Sequence, residues 1–341
     1  MRQLASIRTI KALVPIEGAD KIELGHIDGW QCVVAKGEFQ VGDKCLYLEV
    51  DSFLPIEDRY EFLRKGCFRT IENVDGFRIK TIRLRKQLSQ GLAMPLSKFE
   101  GVNLDAADLT AELKILNYDD LRSEQLLKKN GNQKGVFPSF IPKTDEERIQ
   151  NIWGDIPKDQ LCEVTEKLEG MSATYFFNAS AEGSFAYGVC SRNYEMKDDE
   201  SSVWSRVGKE LNLENRLRNR GTFMALQGEL VGPGIEGNIY QLAKTEFRVY
   251  AIYDILLQQY FTPEERYKIC AELGLLHVPI LAHQVNLTMY DNSEGLDKLL
   301  EYADGISELN HRVSREGVVY KAINGCCHFK VKSNAYLLEQ G

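Results

Sequence analysis

Long apolar runs are missing from this chain. Nothing in it approaches the roughly 18 consecutive apolar residues of a membrane span, so no membrane partner is expected. The first ten residues carry charges and lack the apolar stretch of a secretory leader, which predicts an intracellular, cytoplasmic protein. Histidine is scarce, at five, and unclustered. The eight cysteines include no CxxC pair, and the adjacent Cys326 and Cys327 are poorly spaced for a structural bridge. A zinc site and a disulfide framework are therefore excluded, and free thiols in a reducing compartment are expected. Positive charge is in the minority, with 42 Lys and Arg against 50 Asp and Glu, a net charge of −8. That balance argues against a generally basic surface but says little about a local groove. Arg78, Lys80, Arg83, Arg85 and Lys86 form either a solvated strand face or a phosphate-contacting one.

What is present is ordinary soluble composition, 43% hydrophobic and 27% charged, over 341 residues, enough for two domains. Up to about residue 115, short β-rich runs alternate with turns: Lys21 to Leu24, Trp30 to Ala35, Lys44 to Val50 and Phe77 to Leu84. Such spacing predicts a small barrel or sandwich. Helical periodicity starts at Ala107 to Leu116, read as a connector, and Lys128 to Gly135 reads as a surface linker. Asp145 to Arg148 predicts the start of a short helix, and Leu161 to Lys167 an extended strand entering a turn at Gly170. Trp204 to Leu217 predicts one amphipathic helix, and Phe247 to Leu256 an aromatic strand. Thr262-Pro263-Glu264-Glu265 is a capping box whose helix ends at Gly274. Val318 to Tyr320 and Phe329 to Lys332 predict paired closing strands.

Charged signatures carry the chemistry. Glu166-Lys167-Leu168-Glu169-Gly170 is followed in order by Leu226 to Leu230, Arg315 to Lys321 and Phe329 to Lys332. Alone, the first is weak: at average usage of roughly 6% Lys, 12% Asp plus Glu and 7% Gly, K-x-[DE]-G arises by chance in about one such chain in six. A lysine nucleophile has an ordinary pKa near 10.4 and must be neutral to attack phosphorus. Lys330 and Lys332, two apart on a strand, point to one face; opposite Lys167 and beside a bound magnesium they are expected to lower its pKa. Glu229 and Glu316 each precede a β-compatible run; taken alone each reads as a surface glutamate, but facing a pocket they would offer carboxylates to a magnesium ion that takes its remaining ligands from phosphate and water. Gly317 permits close backbone approach.

These residues, in this order, resemble the covalent nucleotidyltransferases: ATP-dependent polynucleotide ligases and capping guanylyltransferases, and among them most the RNA ligases. Ser191-Arg192-Asn193, Leu226 to Glu236, Phe247 to Ile255, Arg315 to Lys321 and Phe329 to Lys332 stand in the family order, covering residues 137 to 334. The resemblance implies an α+β fold: an N-terminal OB-like β-barrel, then a nucleotidyltransferase domain of antiparallel sheets with flanking helices, an ATP-grasp-like ligase core.

It also implies roles. Lys167 would form lysyl-AMP, Glu166 would sit at the adenine edge, Glu169 would contact the ribose, and Arg192 the ribose or a phosphate. Glu229 and Glu316 would bind sugar or metal, Mg2+ or Mn2+, and Lys330 and Lys332 would bind phosphate. Tyr250 is the candidate to stack on the base, with Phe247 and Tyr253 as alternatives, and Val318 or Val319 covers the other base face. Arg148, in the stretch Lys143-Thr144-Asp145-Glu146-Glu147-Arg148, would hold the ATP phosphates or the 5′-phosphate. Met171 departs from the small polar residue expected there.

Nine residues follow Lys332 in this sequence, so the C-terminal OB domain of capping enzymes and DNA ligases is not expected. The roughly 115 residues before the catalytic unit resemble instead the first domain of the Deinococcus-type nick-sealing RNA ligases. The expected layout is an OB-like nucleic-acid-binding domain at 1–115, a linker at 116–136 and an adenylylation domain at 137–341. The expected partner is a nicked duplex with a 5′-phosphate and a 3′-OH, RNA on at least the 3′-OH side, bound by a monomer. Competing readings are a nucleic-acid-binding protein with an inactive nucleotidyltransferase unit, and a capping-type guanylyltransferase.

Overall fold

The computed structural model describes residues 3–71, 73–122, 132–179, 185–199 and 201–340. The chain divides into two compact units, residues 1–129 with 337–341, and residues 130–336. Among the described residues no helix is long and apolar enough to cross a membrane.

Among the described residues, four small sheets build the first unit. Strand β5 (Lys44–Leu48) lies between β1 (Ala5–Thr9) and β11 (Leu92–Pro95), both antiparallel to it. Strands β2 (Ala12–Pro15), β3 (Ile22–Ile27) and β4 (Trp30–Ala35) form a meander. A third sheet runs β12 (Leu116–Asn117), β6 (Ser52–Leu54), β8 (Val74–Arg78), β7 (Phe68–Ile71), and the fourth is a hairpin of β9 (Ile82–Leu84) and β10 (Gln87–Ser89). Their alternating apolar residues converge on two larger clusters, one around Leu46, Leu48, Phe77 and Phe99, the other around Trp30, Cys32 and Tyr47, and a smaller one of Phe53, Ile71 and Tyr118.

Two expectations change here. The run Phe77 to Leu84 splits into β8 and β9, with residues 79–81 in neither strand; Ile79 is buried and its backbone bonds to that of Ser52 and Asp51. Ala107 to Leu116 is not a helix. Leu113 N–H reaches the Leu109 carbonyl for one helical turn, then Lys114 adopts φ 54° and the chain enters β12. Leu109, Leu113 and Ile115 are buried in the first unit's core, and this tertiary demand overrides the helical spacing. Of the polar stretch Lys128 to Gly135, residues 128–131 lie outside the described residues, while β13 (Gln133–Val136) pairs with β17 (Tyr194–Met196).

The second unit stacks its chemistry on two sheets. The larger runs β13, β17, β16 (Phe185–Cys190), β15 (Met171–Ala179), β18 (Met224–Val231), β19 (Glu246–Asp254), β20 (Gln259–Tyr260), with β21 (Leu276–His277) parallel to β19. The other has the order β22 (Ile280–Asn286), β14 (Leu161–Lys167), β23 (Gly317–Ala322), β24 (His328–Lys332), all antiparallel. Period-two alternation sorts each strand. Ala173, Tyr175, Leu226, Leu230, Phe247 and Ile252 bury one face of the large sheet against helices Val203–Glu210, Leu213–Arg220 and Pro263–Glu272. The anticipated single helix Trp204 to Leu217 is two, broken where Asn212 takes φ 52°. The capping box at Thr262 is formed in full, and Gly274 takes φ 60° beyond that helix.

In the smaller sheet Cys162, Val164, Val318, Tyr320, Phe329 and Val331 face a core with helix Gly295–Ala303. The opposite face carries Thr165, Lys167, Val319, Lys321, Lys330 and Lys332, fixed by the pairs Thr165↔Val319, Lys167↔Gly317, Val319↔Lys330 and Gly317↔Lys332. The closing strands expected at the C-terminal end are thus present and antiparallel, with both lysines of β24 on one face.

Candidate active site

Strand β14 delivers Lys167 at its last residue, and Glu316 immediately precedes β23, so pairing of the two strands brings them together. Lys167 Nζ donates to Glu316 Oε2 at 2.5 Å, and Lys332 Nζ lies 2.8 Å from Glu316 Oε1. One carboxylate thus joins two lysines. Burial by itself would raise the Glu316 pKa, but Lys167 and Lys332 outweigh it and hold the carboxyl at about 2.

The electrostatics of Lys167 reverse the expectation. Burial disfavours its ammonium, yet Glu316, Glu229 and Glu169 together overcome that, and its pKa is raised. The cations expected to depress it are drawn to carboxylates themselves. The depression falls on its neighbours instead: burial, with Lys167, Arg148 and Lys332, brings Lys330 down to about 8 against the pull of Asp145, and burial lowers Lys332.

Glu229 sits on β18 opposite Ser172 and Arg248, on the face of the large sheet away from the helices. Burial pushes its carboxyl up to about 8; Lys167 opposes this, and Glu316 and Glu169 add to it. Among the described residues no hydrogen bond engages its carboxylate. Glu169 accepts from the Tyr336 hydroxyl at 2.8 Å and donates its backbone N–H to the Tyr240 hydroxyl at 2.6 Å. Burial, then Glu316, raises the Glu169 pKa.

Glu166 belongs to the alternate set of β14. One oxygen accepts the Glu308 backbone N–H at 2.8 Å, the other is buried with no partner, and burial raises its pKa. Arg192 pairs with Asp145 at 2.8 Å, and Asp145 also meets Lys330 at 3.4 Å. Arg148 is buried and bridges to Lys330 along β24, preceding the short helix Ile149–Ile152.

The aromatic alternatives separate cleanly. In β19 the register steps from Gln227↔Ala251 to Gly228↔Val249, leaving Tyr250 as the extra residue of a β-bulge. Its hydroxyl lies 2.8 Å from Thr144 Oγ1 and 3.3 Å from Ser172 Oγ, and Lys321 Nζ donates to its carbonyl at 3.0 Å. Phe247 is buried on the helix side, edge-on to Tyr175, and Tyr253 packs edge-on to Tyr260. Val318 is buried in the small-sheet core, so Val319 is the valine on the face of Lys167.

Four participants had no assigned role. Asp145 and Lys321 lay inside stretches already singled out, where their charge was the available signal. Tyr240 and Tyr336 meet Glu169 from 71 and 167 residues away and carry no local signature.

Gly170 is fixed by close approach: a Cβ there would collide with the Leu230 carbonyl and lie 2.8 Å from Glu229 Cγ. Gly170→Ala is expected to cost about 1–3 kcal/mol by overpacking, read as a lower melting temperature. Because the strain falls on Glu229, self-labelling by nucleotide should fall more than the loss of folded protein accounts for.

Two antiparallel sheets with a lysine, carboxylates and cations on their free faces, in a chain that also holds a small β-rich unit, match known proteins over both units. An OB-fold domain matches residues 4–96 and the RNA ligase family matches residues 160–333. The chain belongs to the RNA ligase family, with an N-terminal OB-fold domain and a ligase core of antiparallel sheets with helices. It is similar to Naegleria gruberi RNA ligase: to a lysine mutant with ATP and Mn at 37% identity and TM-score 0.83, covering 99% of each chain. The same ligase with PPi matches at 38% and 0.83, again over 99% of each chain. A glutamate mutant with AMP and Mn matches at 37% and 0.83, over 100% of this chain and 99% of that one. Among curated proteins none matches.

Proposed function

We propose that this RNA ligase uses ATP and a divalent cation to join a 3′-OH to a 5′-phosphate through lysyl-AMP at Lys167, sealing nicks in duplex RNA or RNA–DNA hybrids. The observation that carries the reading is the placement of Lys167 beside Glu316 and on the face that bears Lys330 and Lys332. In the first step the neutral Nζ attacks the α-phosphorus. A P–N bond forms, the bond to the bridging oxygen breaks, and pyrophosphate leaves with that electron pair. AMP then passes to the 5′-phosphate, and the 3′-OH displaces it. Positioning and charge stabilisation carry such phosphoryl chemistry.

Lys330, Lys332, Arg148 and Arg192 bind phosphates in this reading, with Arg192 also within the reach of a ribose. Glu169 takes the ribose, and the unpartnered oxygen of Glu166 accepts the adenine amino group. Tyr250 and Val319 cover the two faces of the base. Among the described residues no group of three or more His, Cys, Asp or Glu suits a metal ion. The two carboxylates of Glu229 and Glu316 are enough for an ion such as Mg2+ or Mn2+, which would keep phosphate and water ligands. Glu229, which no side chain engages among the described residues, would donate once it loses its proton, and Glu316 once it releases a lysine. The ion would neutralise charge on the leaving pyrophosphate.

Residues 1–115, extended by β12, form the OB-type docking domain for the duplex, and residues 133–336, from β13 on, the adenylylation domain, working as a monomer. The test uses α-labelled ATP with Mg2+ and a nicked RNA duplex. Label should appear on the protein, then on the 5′-phosphate, and then be released as the product joins. Labelling by GTP instead would indicate capping chemistry, and no labelling by either would leave a binding protein.

A further inference from the structure

The hairpin of β9 and β10 closes on two residues, Arg85 and Lys86, with Leu84 paired to Gln87. Both lie in the left-handed region, at φ 50° and 66°. That is the pattern of a type I′ turn, where Asn-Gly is strongly preferred because a Cβ is disfavoured there. Two long cations occupy the turn instead, at a conformational cost that brings nothing to the core, since both are exposed. Strain retained at an exposed tip points to work done by the side chains.

The surrounding charge agrees. Between Asp75 and Glu100 the sequence has Arg78, Lys80, Arg83, Arg85, Lys86 and Lys98 and no carboxylate, in a chain of net charge −8. Arg78 is drawn to Asp51 at 3.8 Å and stacks over Tyr118, and Arg83 donates to the Leu338 carbonyl. Among the described residues, Lys80, Arg85 and Lys86 have no ion pair or hydrogen bond. Arg85 and Lys86 are exposed cations at the tip of a two-stranded arm, and Lys80 is an exposed cation two residues before it.

We propose that this arm is a phosphate clamp: Arg85 and Lys86, supported by Lys80, contact successive backbone phosphates of the duplex and set its register without reading its bases. The inference rests on the ligase reading and adds the surface and the chemistry by which the first unit holds its substrate.

The test is binding of the full-length protein to a fluorescent nicked RNA duplex, by anisotropy over a KCl series. Arg85→Asn with Lys86→Gly gives the turn its preferred residues, so melting temperature should hold or rise. The slope of log affinity against log salt should fall by about two, with affinity near 0.1 M salt down about tenfold. Arg85→Gln with Lys86→Gln keeps the strained turn and should lose as much binding. ATP-dependent self-labelling should be unchanged in both. An unaltered salt slope in either double variant overturns the clamp. A wild-type protein that neither labels nor binds the nick would sink the ligase reading instead.

Discussion

Lys167→Ala should take up no label from α-labelled ATP, a loss on the order of 10⁴-fold or more, as removal of a covalent nucleophile does elsewhere. The fold should survive, because Glu316 keeps Lys332 as a partner when Lys167 is truncated. A second readout separates chemistry from collapse. A nick already carrying AMP on its 5′-phosphate needs no lysine nucleophile, so the variant should still seal it. The serious rival is Lys330. Burial and its cationic neighbours bring its pKa to about 8, making it the amine most easily neutralised in the site. Basicity alone would favour it. Lys330 is tied to Asp145, however, and lies on the next strand but one from β14. Label persisting on Lys167→Ala and vanishing on Lys330→Ala would transfer the covalent role.

Much of this site was legible because strand alternation is a local rule. Lys330 and Lys332 on one face, and a lysine entering a glycine turn, follow from spacing. What spacing could not provide was the third dimension. Glu316 and Lys332 meet because of the β23–β24 register, which turns the lysines from depressors of the nucleophile's pKa into partners of one carboxylate. Tyr250 owes its place to a bulge, and no residue in Phe247 to Ile255 announces one. The fold was legible to the same degree. The Thr262 capping box is self-contained chemistry and formed as written. Ala107 to Leu116 failed because leucines four apart serve one helical turn as well as a helix, and Lys114 ended it. Trp204 to Leu217 failed at Asn212 because Leu213 and Leu217 stay buried across the break, so the apolar spacing hides it.

Glu316→Gln should move the pH dependence of self-labelling toward lower pH by a unit or more, while lowering the rate at the plateau. In the wild type, Lys167 must lose a proton that Glu316, Glu229 and Glu169 hold in place, so single-turnover labelling should rise about tenfold per pH unit from neutrality into the alkaline range. The glutamine removes the leading acidic contribution. Burial then weighs more heavily, the amine titrates earlier and the profile levels off sooner. The plateau should nonetheless drop by roughly 10²-fold, the usual cost of losing one organising charge at a phosphoryl centre, since Lys332 also loses its anchor. Stability gives an independent check. A carboxyl held at about 2 in the fold and near 4.5 unfolded adds stability above pH 4.5 that is lost as pH falls toward 2. The glutamine variant should lack that acid-dependent loss. A rate profile that stays in place, or shifts to higher pH, would mean that Glu316 does not control the charge on Lys167.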